Sequence, residues 1–79
     1  MNELYDVLSV KKFVEDYVAR FYGEKPLLID WVKAVNVFNT WDLSIKVRFK
    51  EREYGLGILV DALRKICTGH AITSIASLL

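Results

Sequence analysis

Apolar residues recur every three or four positions in the first part of the chain. The recurring residues are Val7, Val10, Val14, Tyr17, Val18 and Phe21. Because this spacing places them on one face of a helix, it predicts a helix over residues 3–22. Gly23, with Pro26 soon after it, predicts where this helix ends. In an alternative interpretation Ser9 caps a shorter helix, and residues 1–8 form an arm.

The next two segments have the patterns of β-strands. Residues 27–38, LLIDWVKAVNVF, are rich in β-branched and aromatic types and contain no glycine or proline. Residues 43–53, LSIKVRFKERE, alternate apolar and basic side chains, which is typical of a strand with one buried face. The turn-forming residues NTWD lie between them. We therefore predict a hairpin.

The register of this hairpin depends on the length of its loop. A loop with an odd number of residues places Ile29, Trp31, Val35 and Val37 on the face of Leu43, Ile45, Val47 and Phe49. A two-residue loop instead places Trp31, Val35 and Val37 beside the basic side chains, because a shift of one residue exchanges the faces. We prefer the odd loop, since it gives the more apolar core. In both registers apolar side chains flank the basic ones.

Residues 56–68 have helical spacing and predict a second helix. Its apolar stripe consists of Leu56, Leu59, Val60, Leu63, Ile66 and Cys67, and Gly69 is the expected end. The glycines of YGLG would turn the chain into this helix. Residues 70–79, HAITSIASLL, contain no charged side chain and predict either a short helix or a third strand.

Together these elements predict a small α+β fold. Its order is helix, strand, strand, helix and a short apolar C-terminal element, in a single domain over residues 1–79. We expect a small antiparallel sheet that is extended or completed by dimerisation, because two strands leave open edges.

Composition also favours a homodimer. Of the 79 residues 53% are hydrophobic, against roughly 45 to 50% in ordinary globular domains, in a chain with little interior. Cys67 and His70 are the only residues of their types, so the chain can form neither an internal disulfide nor a complete zinc site of its own. Of the usual means of stabilising a small domain, a partner chain remains.

The net charge of +1 argues against binding of nucleic acid by bulk charge, so a basic site would have to be local. The candidate is the basic row, which we define as Lys46, Arg48, Lys50 and Arg52, with Lys33 beside it. Phe38 or Trp41 could stack on bases. These residues predict a small non-enzymatic protein that binds single- or double-stranded nucleic acid. In the alternative interpretation, the row is only the solvated face of a strand.

The order of residues 43–79 resembles that of ribbon-helix-helix DNA-binding proteins. A basic alternating strand precedes a predicted helix, Gly69 lies in the turn, and AITSIASLL follows. The resemblance implies that Lys46, Arg48 and Lys50 lie on the ribbon that reads DNA. The 42 residues before this region have no counterpart in that family.

Other site chemistry is weakly indicated. Cys67 and His70, one helical turn apart in the predicted helix, could form a nucleophile–base pair or half of a shared metal site, but core packing is the simpler interpretation. The chain has no motif for a catalytic site, cofactor, small-molecule substrate or membrane span, and with its lone cysteine we expect a cytoplasmic protein. The alternative function is a protein-interaction or assembly subunit that uses the uncharged tail.

Overall fold

A computed structural model of the protein describes residues 4–78. The elements are α1 (Val7–Tyr22), β1 (Leu28–Val37), β2 (Thr40–Arg48), β3 (Arg52–Asp61) and β4 (Ile66–Ser77). The strands form one antiparallel sheet in the order β1-β2-β3-β4, so that β1 and β4 are its edges. The predicted small α+β fold is confirmed, with one helix on one face of the sheet.

Both ends of α1 have a local cause. The Asp6 side chain caps the first turn, because its Oδ1 accepts the Ser9 backbone N–H at 2.9 Å and its Oδ2 accepts the Ser9 hydroxyl at 2.8 Å. Ser9 is therefore not the cap. The helix begins four residues later than predicted, and residue 3 lies outside the described residues. Gly23 ends the helix as predicted, with a left-handed φ of 70°.

The core lies between α1 and the two central strands. Val10, Val14 and Val18 of α1 are fully buried, which confirms the helical stripe. The central strands contribute alternate residues, as expected for a sheet with one covered face. Their buried side chains are Trp41, Leu43, Ile45, Val47, Leu56, Ile58 and Val60.

The β1–β2 hairpin combines the two predicted registers. Its turn has two residues, Phe38 and Asn39, whose φ angles of 49° and 63° fit the tight turn that strand twist favours. The odd loop is therefore wrong, and Val35 and Val37 lie on the face away from α1. A bulge at Val32 then restores the preferred pairing for the base of the hairpin.

Below this bulge the preferred core face is confirmed. Ile29 pairs with Val47 and Trp31 pairs with Ile45, so both β1 side chains face α1. They are partly buried and pack against the core.

The predicted second helix over residues 56–68 is wrong, because residues 52–61 form β3 and β4 begins at Ile66. Its glycines belong to the sheet, where Gly55 is opposite Lys46 and Gly57 is opposite Ser44. The true period is two, since Leu56, Ile58 and Val60 all face the core. The resemblance to ribbon-helix-helix proteins depended on this predicted helix, and the region therefore lacks the first helix of that family.

Asp61 organises the turn between β3 and β4. Its Oδ1 accepts the backbone N–H groups of Leu63 and Arg64, each at 3.0 Å, and its carbonyl accepts the Lys65 N–H at 2.8 Å. The chain leaves this turn through Lys65, whose φ is 56°. The tail was predicted to form either a short helix or a strand, and it forms a strand as part of β4. Leu79 lies outside the described residues.

Candidate interaction surfaces

The predicted basic row is not continuous. Lys46 and Arg48 are exposed on the open face of the sheet, the face away from α1. Lys50 lies in the turn between β2 and β3 rather than in a strand. Arg52 begins β3 on the face of α1, where its guanidinium lies 5.8 Å from the centre of the Tyr54 ring. The row therefore divides between two faces and a turn.

Acidic side chains accompany the basic ones on the open face. Lys33 contacts Asp42 at 3.2 Å, and Arg48 contacts Glu53 at 3.7 Å. Asp30 lies directly opposite Lys46 on β1. The expectation that apolar side chains flank the whole row is thus wrong at Lys46, and the local positive potential is reduced.

The two aromatic candidates have different positions. Phe38 is 95% exposed at the tip of the hairpin. Trp41 is only 4% exposed, because it lies on the core face of β2, and its Nε1–H donates to the Leu4 carbonyl at 2.6 Å. Trp41 is therefore a core residue and cannot stack on a base in this structure.

The second surface is the edge formed by β4. This strand, ICTGHAITSIAS, has 12 residues and no Asp, Glu, Lys or Arg. It is hydrogen-bonded to β3 on one side and is the last strand of the sheet on the other. An uncharged edge of this length presents backbone donors and acceptors to any extended chain that approaches it.

Apolar side chains line this edge on the face of α1. We call Phe21, Ile72 and Ile75 the edge strip; they are 59%, 49% and 65% exposed. Phe21 lies beside His70, with ring centres 4.5 Å apart, and Ile75 is opposite Tyr54. The helix therefore covers the two central strands and leaves part of β4 open.

His70 joins β4 to α1 at the start of the edge strip. Tyr17 forms a hydrogen bond with Nδ1 at 2.7 Å, and Tyr22 forms one with Nε2 at 3.1 Å. Burial lowers the pKa of His70, since it disfavours the imidazolium ion. Burial and, after it, the nearby Cys67 thiol raise the pKa of Tyr17 to about 12, so this phenol stays protonated.

Cys67 and His70 both lie near Tyr17, and they belong to a strand rather than a helix. The Cys67 thiol donates to the Gly69 carbonyl at 3.2 Å, and its side chain packs against the core. Within residues 4–78, no three His, Cys, Asp or Glu side chains are grouped so as to hold a metal ion. Sequence reasoning named both residues and missed their tyrosine partners, which lie on α1.

An open groove of about 520 Å³ lies between α1 and β1. Charged residues of both signs line it, and Lys12 and Asp16 among them form an exposed ion pair at 3.6 Å. Its apolar part comes from Ala19 and the segment from Pro26 to Ile29. The groove has no convergent polar groups of the kind that orient a substrate.

Comparison of the chain with protein-family models, with curated proteins and with solved structures finds no match. Over residues 4–78, no helix has both the length and the apolar character needed to cross a membrane.

Proposed function

We propose that this protein is a small non-enzymatic assembly subunit whose β4 edge binds an extended segment of a polypeptide. The main support for this proposal is that β4 is a 12-residue edge strand with no Asp, Glu, Lys or Arg. Recognition by strand addition uses main-chain hydrogen bonds for affinity and side-chain pockets for specificity. The proposed location is the cytoplasm, where a lone cysteine remains reduced.

The edge strip supplies the apolar part of this surface. Phe21, Ile72 and Ile75 are each about half exposed or more, and an added strand would bury part of their surface. His70 and its two tyrosine partners hold β4 against α1, so the edge is ordered before a partner arrives. Such preorganisation reduces the entropy cost of binding.

A soluble peptide as long as β4 tests the proposal. Its residues alternate threonine and valine, lysine pairs flank them, and a fluorescent label reports binding through anisotropy. We expect it to bind the parent protein, and we expect Ile75→Pro to weaken this binding at least tenfold, because Ile75 lies in a regularly paired stretch of β4 and proline removes a main-chain donor there. The protein is diluted until it is monomeric, so that self-association cannot occupy the edge.

A matched proline on the other edge is the control. Asn36→Pro places the same residue in β1, and we expect peptide affinity within about twofold of the parent, since β1 is not the docking strand. If the peptide does not bind the monomeric parent, or if both proline variants weaken binding equally, the proposal is wrong. Circular dichroism checks that each variant retains its sheet.

Nucleic-acid binding is a second candidate, supported by the position of three cations. Lys46 and Arg48 are exposed at the end of β2, and Lys50 follows in the turn. Phosphates would contact these groups, with Phe38 as the remaining exposed aromatic residue. In this case affinity falls steeply with salt, and each lost phosphate contact reduces the slope of log K against log salt by roughly 0.7 to 0.9.

A triple variant tests this second candidate. Lys46→Ala, Arg48→Ala and Lys50→Ala together should abolish binding to a short oligonucleotide at low salt. The matched control replaces three other lysines with alanine and removes the same charge from the region of α1; these are Lys11, Lys12 and Lys25. Equal binding by the parent and the triple variant would refute the candidate.

A further inference from the structure

We infer that the occupant of the β4 edge is a second copy of this chain, paired antiparallel to the first about a two-fold axis. This inference rests on the proposed function and names its partner. The two sheets would then join into one sheet of eight strands. The following observations favour a second copy over an unrelated strand.

Antiparallel self-pairing brings each β4 residue close to another β4 residue. A charged residue in the strand would face a like charge near the axis, which destabilises cross-strand pairs. β4 contains no Asp, Glu, Lys or Arg between Ile66 and Ser77, so no such repulsion arises in any register. Two copies of β4 can therefore pair without charge repulsion.

The length of β4 is sufficient for a stable ladder. At about 3.3 Å per residue the strand is about 40 Å long, and the longest dimension of the molecule is 42 Å. The strand has bulges at Thr68 and Thr73, and its regularly paired stretches are residues 69–72 and 74–76. Two edges paired over these stretches would form about seven main-chain hydrogen bonds, within the range of a typical specific interface. A short edge strand could not supply this number.

The geometry of the axis also brings the edge strips together. A two-fold axis that relates antiparallel strands of one sheet is perpendicular to that sheet, so both α1 helices lie on the same face. Phe21, Ile72 and Ile75 of both copies then line the joint on that face. On the other face, Ala71, Ser74 and Ala76 are small and present no large side chain to the joint.

Paired lysine substitutions test the inference by light scattering over a range of protein concentrations. We expect the parent to have twice the mass of the chain. Ile72→Lys with Ile75→Lys brings four lysines to the joint, and we expect the dimer Kd to rise roughly 100-fold or more. Val35→Lys with Val37→Lys is the control, because these β1 residues are similarly exposed, at 43% and 52%. We expect this control to dimerise like the parent.

The parent alone provides a measurement that needs no folded variant. Hydrogen exchange of the β4 amides should be slow at high concentration and faster after dilution below the Kd, whereas exchange of the β1 amides should not change. If the parent is monomeric yet binds the extended peptide, the proposal that a second copy occupies the edge is wrong, and the proposal that β4 binds an extended segment stands. A parent that is monomeric and does not bind it overturns both. A dimer unaffected by the β4 lysines overturns the two-fold pairing.

Discussion

The two edge strands of the sheet differ in the charge of their side chains. β1 has 10 residues and β4 has 12. β1 contains Asp30 and Lys33, and Val32 forms a bulge between them. Charged side chains on an edge oppose its pairing with another strand. β4 also has bulges, at Thr68 and Thr73, but it has no Asp, Glu, Lys or Arg, and Cys67, Ile72 and Ile75 on its helix side are apolar.

This difference determines the size of the assembly that the fold permits. A chain with one open edge pairs once and stops at a dimer, whereas a chain with two open edges can add copies without limit. The protected β1 edge therefore complements the open β4 edge. Under our proposal, both are required for an assembly of defined size.

The largest expected effect comes from making β1 resemble β4. Asp30→Thr and Lys33→Thr combined with deletion of Val32 would give a flat, uncharged β1 edge, since Trp31 and Lys33 already face opposite sides of the sheet. We expect open-ended oligomers, measured by sedimentation velocity. Deletion of Val32 alone, with both charges retained, is the control, and we expect it to yield much less association.

A smaller effect is expected from loosening β4 alone. Tyr17→Phe removes the hydroxyl that bonds His70 at 2.7 Å and should lower the free energy of unfolding by about 1 kcal/mol. Hydrogen exchange should increase in β4 and remain unchanged in β1. Tyr5→Phe is the control, because Tyr5 is half exposed and lies outside the His70 cluster. Equal destabilisation by both would contradict the role of His70 as an anchor.

His70 should also make stability depend on pH. Its pKa lies below the ordinary value of 6.5, so the unfolded chain takes up a proton before the folded protein does. The free energy of unfolding should therefore be constant above about pH 7 and should fall as the pH drops below 6.5. Hydrogen bonds from nearby backbone N–H groups also lower the pKa values of Asp6 and Asp61, whose ordinary value already lies below this pH range.

Chemical denaturation between pH 5 and 8 would measure this dependence. His70→Gln is the control, since its amide can both donate and accept a hydrogen bond but does not titrate. We expect its stability to be nearly flat over this range. A parent as flat as His70→Gln would show that His70 has no depressed pKa in the folded protein.

The smallest effect is expected at the protective charges of β1. Lys33 and Asp42 are each half exposed, and such pairs contribute about 0.2 to 1 kcal/mol. Lys33→Met should therefore change the free energy of unfolding by less than 1 kcal/mol, as measured by thermal melting. A larger loss would mean that Lys33 has a structural role in addition to protecting the edge.

The sequence predicted the elements whose two faces differ in polarity. α1 and β2 have a polar face and an apolar face, and both were assigned correctly apart from their ends. β3 was not, because the middle of its open face carries Gly55, Gly57 and Leu59, and charged residues of that face occur only at its ends. Because the middle of β3 has no polar face, the alternation of a strand was not apparent in its sequence. The false helical stripe consisted by coincidence of Leu56, Leu59, Val60 and Leu63.

The candidate sites were predictable to a similar degree. The lack of charge in the tail was visible in the sequence and became the main feature of β4. The division of the basic row was not visible, because the turn at Lys50 follows a strand whose alternation continues through it. The contacts of His70 with Tyr17 and Tyr22 join residues about fifty positions apart, and no local pattern reports them.

The bulge at Val32 also separates the hairpin into two halves that can vary independently. The base of β1 keeps Ile29 and Trp31 in the core, whatever happens beyond the bulge. The tip, with Val35, Val37 and the turn at Phe38, contributes no buried side chain from β1. A homologous or engineered chain could therefore change the length or sequence of this tip, to gain or lose a contact there, at little cost to the fold.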